Sequence, residues 1–87
     1  MTRTVLLSER ADRTYRNLPA IARARIRQAL LEFASSGTGD LKRLSGTRDR
    51  EDLHRLRVGD YRVVFALSKS EIRITRIIHR SEGYNWL

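Results

Sequence analysis

The sequence predicts an α+β fold: a small antiparallel β-sheet with an N-terminal helical hairpin packed on one face, in the order β-α-α-β-β-β. Three observations carry this expectation. Residues 22 to 33 repeat apolar side chains at helical spacing, residues from Leu53 onward alternate at strand spacing, and Gly59-Asp60 stands between two alternating runs where a hairpin turn belongs.

Residues 3 to 7, RTVLL, read as a short first strand. Ser8 then occupies an N-cap position, with Glu9 and Asp12 in the following turn to suit the helix dipole. Ala11, Tyr15 and Leu18 fall at i, i+4 and i+7, forming the apolar stripe of a first helix. Pro19 must interrupt that helix, because the residue before proline avoids helical torsions, so two helices meet at residues 17 to 20. In the second helix Ala22, Ile26, Ala29, Leu30 and Phe33 form the buried stripe, and Arg23, Arg25 and Arg27 read as a solvated face. It ends at SSGTG. The charged stretch DLKRLSGTRDRED reads as an irregular connection, pinned to the core by Leu41 and Leu44.

Three antiparallel strands follow: LHRLRV, then YRVVFAL after the Gly59-Asp60 turn, then IRITRIIH after SKSE. Alternation puts Arg55 and Arg57 on one side of their strand, and sets Arg62, Val64 and Ala66 opposite Tyr61, Val63, Phe65 and Leu67. One face of the sheet can therefore hold the helices while the other carries arginines.

A chain of 87 residues without internal repeats is expected to form one domain, residues 1–87. At that size it buries only about 60 to 65% of its unfolded surface. The absence of cysteine excludes disulfides and thiolate metal sites, and no metal or cofactor is expected. No apolar run approaches the length of a membrane span, and MTRTVLLSER is too short and too soon charged for a signal peptide. The expectation is a cytoplasmic protein with no membrane partner.

Lys and Arg number 18 against 10 Asp and Glu, a net charge of +8, which calls for a polyanionic or acidic protein partner. Only Lys42 and Lys69 among these cations are lysine. Arginine stays charged and forks onto phosphate oxygens, so the bias suits phosphate recognition. GC-rich coding also favours arginine, and the positions of the arginines decide between the two.

Those positions carry a resemblance. LKRLSG ahead of the sheet, LRVGDYRVVF across the hairpin, and the terminal HRSEGY occur in an order that resembles the RelE/ParE superfamily of toxin–antitoxin toxins. The resemblance covers nearly the whole chain, and its RelE-like branch implies a ribosome-dependent endoribonuclease that cuts mRNA in the ribosomal A site. Such toxins act without a metal, the ribose 2′-hydroxyl attacking the adjacent phosphodiester and translation being inhibited. That reaction needs the phosphate held in line, its added charge stabilised, a base for the hydroxyl and an acid for the leaving oxygen.

By the same resemblance Arg62 matches the arginine of the family's YR motif and Arg80 the arginine ending the last strand, both as phosphate clamps. Arg55 matches a basic position on the preceding strand, and Arg57 shares its face. The best-described ribonuclease member carries two alternating lysines on that strand, where Leu53 and Arg55 stand here; Arg57 and Arg43 are expected to compensate for the lost cation. Arginine rarely gives up its proton, which leaves His54, His79 and Tyr84 as candidates for proton transfer. Tyr84 matches a tyrosine that RelE-type toxins use near the scissile phosphate. His79 is the more ordinary acid/base, and it shares a site with Arg80 only if the strand bends or ends there. His54, Tyr61 and Phe65 are expected to pack, and Trp86 either stacks on a base or staples the tail.

Two other functions fit the resemblance: a ParE-like toxin that blocks DNA gyrase, and a degenerate toxin that acts only as a co-repressor. Arg80 followed by Tyr84 favours the nuclease. The implied partners are a RelB-like antitoxin whose acidic segment wraps the toxin, the ribosome with its mRNA, and operator DNA reached through the antitoxin.

Overall fold

The structure is a computed structural model that describes residues 2–44 and 53–83. In chain order the elements are β1 (Thr4–Leu7), α1 (Glu9–Arg16), α2 (Ala20–Ser36), β2 (Asp40–Arg43), β3 (Leu53–Val58), β4 (Tyr61–Leu67) and β5 (Glu71–His79). The five strands form one sheet in the order β1-β5-β4-β3-β2. β1 runs parallel to β5 and every other pair is antiparallel, so the α+β sheet is mixed.

The helical hairpin forms for the local reasons its sequence contains. Ser8 caps α1, its hydroxyl accepting from the Ala11 amide at 3.1 Å, with Glu9 and Asp12 in the first turn. The chain turns at Asn17 to Pro19, and α2 ends on Gly37 in the left-handed conformation, whose amide donates to the Phe33 carbonyl at 2.8 Å. α2 turns Ile26, Leu30 and Phe33 inward against Leu56, Val63, Phe65, Ile72, Ile74 and Ile77 of the sheet. At the centre the Phe33 and Phe65 rings meet at 5.4 Å between centroids.

The hairpin joining β3 to β4 fixes the register on which the functional surface depends. Gly59 has φ of 57° and no other described residue of the turn has positive φ, the pattern of a II′ turn with glycine at its first central position. Val58 then pairs with Tyr61, Arg57 with Arg62, Arg55 with Val64 and His54 with Phe65. A one-residue slip would move every arginine to the core side.

One element differs from the expectation. The segment read as an irregular connection contains β2, an exposed edge strand paired with β3 through Leu41 opposite Leu56 and Lys42 opposite Arg55. DLKR has no strand periodicity, and pairing with β3 supplies what local propensity lacks. Gly39 permits the approach, since a methyl group in its place would come within 2.6 Å of Leu56 Cδ1. Leu41 is partly exposed, so the expected pin to the core is only partial.

Candidate nucleic-acid interface

Side-chain alternation divides the sheet into two unlike faces. The face towards the helices holds the core. The other face follows the lateral rows Asp40-Arg57-Arg62-Ile78 and Lys42-Arg55-Val64-Arg76. A register shift between Val64 and Phe65 lets β5 accommodate Thr75, which returns Arg76 and Ile78 to this face although Ile72 and Ile74 face the helices. Leu53, Val64 and Ile78 are buried yet lie outside the helix-side core cluster. They make an apolar floor between arginines, and the methylene stems of those arginines can lie along it.

Arg62 and Arg80 meet at the hairpin end of this face. The Arg80 amide donates to the Asp60 carbonyl at 2.7 Å, and Arg62 Nη1 donates to the Arg80 carbonyl at 3.1 Å. The Arg80 side chain is held more loosely, with Nε 3.6 Å from Asp60 Oδ1 and both side chains 64% exposed. Backbone contacts thus place Arg80 beside Arg62, while its guanidinium has only a weak, solvent-screened carboxylate to leave.

Arg57 faces Arg62 directly across the β3–β4 pair and forms no ion pair with a described residue. Like charges directly opposite one another destabilise a sheet, and a bound anion relieves that repulsion. Arg55 is different: its side chain is only 15% exposed, and Nη1 donates to both the Asp40 carbonyl, at 2.9 Å, and Oδ1, at 3.3 Å. It fastens β2 to β3 as well as adding charge to the face.

Two other expected residues, Arg43 and His79, are not brought together with these. Arg43 pairs with His54 on the opposite side of the sheet, because it is one residue out of phase with Lys42. Lys42, overlooked in the sequence, takes the place beside Arg55. Arg76 was also overlooked; burial lowers its pKa, the charge of Arg10 adds to the shift and Glu82 opposes it. It remains charged at physiological pH. The register shift that puts it on this face leaves no trace in a simple alternation.

His79 ends β5 on the helix side, where its ring meets the Tyr61 ring edge-on at 5.4 Å. The Ser81 amide donates to His79 Nδ1 at 3.2 Å, so in the neutral ring the proton sits on Nε2. Alternation is regular from Arg76 to His79, where Ile78 pairs with Arg62 and His79 with Tyr61, and the imidazole therefore faces away from Arg62. His54 stacks on Phe65 at 5.9 Å, in keeping with a packing role. Tyr84 and Trp86 lie outside the described residues. Among the described residues there is no cluster of metal-ligating side chains, and no helix is long and apolar enough to cross a membrane.

Comparison with known proteins agrees with this geometry. Residues 5–84 match the family described as the ParE toxin of type II toxin–antitoxin systems. No significant match was found among curated protein sequences. The chain is similar to the archaeal RelE of a RelE–RelB complex from Pyrococcus horikoshii, with 26% identity, a TM-score of 0.77, and coverage of 95% of this chain and 100% of that one. Its fold is also that of the RelBE2 toxin–antitoxin complex of Mycobacterium tuberculosis, at 21% identity and a TM-score of 0.76, covering 94% of this chain and 95% of that one. A free arginine-to-alanine double mutant of the E. coli toxin RelE gives a TM-score of 0.74 at 20% identity, covering 99% of this chain and 92% of that one. The chain thus belongs to the ParE toxin family, as a toxin of a type II toxin–antitoxin system in the RelE/ParE superfamily with a RelE-like fold.

Proposed function

We propose that this toxin is a ribosome-dependent mRNA endoribonuclease. The observation that carries the reading is the arginine face, where Arg57 and Arg62 stand side by side with no carboxylate of a described residue between them and Arg80 is fastened at their edge. Single-stranded RNA laid across it would place a phosphate between Arg62 and Arg80, with Arg55, Arg57 and Lys42 along the flanking backbone. Two guanidinium forks hold the phosphodiester in line and stabilise the added negative charge of the pentacoordinate phosphate as the 2′-hydroxyl attacks.

Proton transfer needs a different group. Among the described residues the arginine face carries no histidine or tyrosine, so the role of base falls to Tyr84, as the family resemblance implies. His79 is assigned to packing.

The partner proposed for the idle toxin is a RelB-like antitoxin, supported by neighbours captured as RelE–RelB complexes. An acidic segment neutralises the same arginines that hold RNA, and operator DNA would be reached only through the antitoxin. The site of action is the cytoplasm, where translating ribosomes are.

A second reading, inhibition of DNA gyrase, is what the ParE-like branch of the resemblance implies, and the matched family is described as a ParE toxin. A cell-free translation reaction and a gyrase supercoiling reaction, each supplied with the purified toxin, separate the two. Cleaved message with undisturbed supercoiling is expected; blocked supercoiling with intact message would establish the gyrase reading.

A further inference from the structure

A groove lies on the helix side of the same hairpin end. Ile21, Ala22 and Arg25 of α2 face Val58, Asp60 and Tyr61 across a groove of about 210 Å³. Its walls are mainly apolar, and Ile21 is 71% exposed. Two charged groups border it. Arg25 Nη1 lies over the turn, 3.9 Å from where a methyl group on Gly59 would sit, and Asp60 closes the same end.

Asp60 joins this groove to the phosphate site. Its carbonyl receives the Arg80 amide and its Oδ1 lies 3.6 Å from Arg80 Nε, so the groove and the arginine clamp are two sides of one turn. The Asp60 carboxylate retains acceptor capacity beyond that loose contact. An apolar slot with one cation and one acceptor-only group, smaller than a drug-sized pocket, suits a single nucleobase. A carboxylate rewards a base that presents an amino group and penalises uracil, which presents a carbonyl there. It equally disfavours an acidic peptide as the occupant.

We propose that this groove is a base-recognition subsite, taking the nucleotide next to the one clamped by Arg62 and Arg80 and selecting a base with an exocyclic amino group over uracil. The inference rests on reading the arginine face as an RNA site.

The test is a titration of the uncomplexed, 15N-labelled full chain with two uncleavable 2′-O-methyl tetranucleotides, all-cytidine and all-uridine, followed by NMR. The all-cytidine probe should shift the amides of Ile21, Ala22 and Gly59 together with those of the arginine face, and bind about tenfold tighter than all-uridine. Asp60→Asn keeps the turn and the carbonyl that holds Arg80. It should strengthen binding of both probes, through loss of a negative charge, and bring their affinities within about twofold. Shifts confined to the arginine face with equal affinities would overturn the subsite and leave the phosphate clamp standing. Binding of neither probe, or groove shifts caused by an antitoxin peptide alone, would also overturn it. The nuclease reading is tested separately by the fate of message in translation, so its failure is distinguishable.

Discussion

Replacing Arg62 with alanine separates a binding role from a structural one, because the structure fixes what each would cost. Among the described residues the folded state loses one hydrogen bond, from Arg62 Nη1 to the Arg80 carbonyl at 3.1 Å, on an exposed edge. Such a bond contributes about 0.5 to 1.5 kcal/mol. The same substitution removes the like-charge pair with Arg57, returning about 0.2 to 1 kcal/mol. The net destabilisation is therefore at most about 1.3 kcal/mol, a fall in Tm of no more than about 5 to 10 °C for a domain of this size. Transition-state stabilisation suffers far more, since removing one donor to a developing oxyanion costs roughly a hundredfold to a thousandfold in rate. The assay pairs a thermal melt with cleavage of message in a translating extract. Rate loss of that order with a nearly unchanged melt is expected. A collapse of the melt by more than about 10 °C, or cleavage within threefold of the parent, would refute the reasoning.

Further outcomes follow from the same geometry. Lys42→Ala should weaken binding of a single-stranded oligonucleotide and lower the salt dependence by about one unit of slope, whereas Arg43→Ala, on the other face, should leave both nearly unchanged. His79→Ala should keep at least half of the cleavage rate and lower Tm through loss of the ring contact with Tyr61; loss of cleavage at an unchanged Tm would return His79 to the chemistry. Tyr84→Phe should fold and bind normally but cleave at least about a hundredfold more slowly, and undiminished cleavage would remove the tyrosine from the mechanism. Phe65→Ala, at a side chain with no exposure that packs on Phe33, should cost about 3 to 5 kcal/mol and leave little folded protein by circular dichroism.

Much of the fold was legible because its signals are local. The Ser8 cap, the break at Pro19, the stripe of Ile26, Leu30 and Phe33, and the Gly59-Asp60 turn each specify their own element. The division of the sheet into a core face and an arginine face followed from the turn, since register and a period of two decide every side chain on β3 and β4. β2 was not legible: Asp40, Leu41, Lys42 and Arg43 form a strand only by pairing with β3, and without that register the sequence held nothing to decide the face on which Arg43 lies. The parallel pairing of β1 with β5 joins residues far apart in the chain, beyond the reach of local pattern. Arg76 was hidden by the irregularity opposite Val64 and Phe65. His79 shows the reverse case, where chemistry made the residue attractive and strand parity turns it away.

The most direct test of the nuclease account is to induce the toxin without its antitoxin in cells and map mRNA 5′ ends across translated reading frames, with Arg80→Ala as control. The account predicts new ends in register with codons, absent from untranslated regions and from the control. Growth arrest with intact message would contradict it.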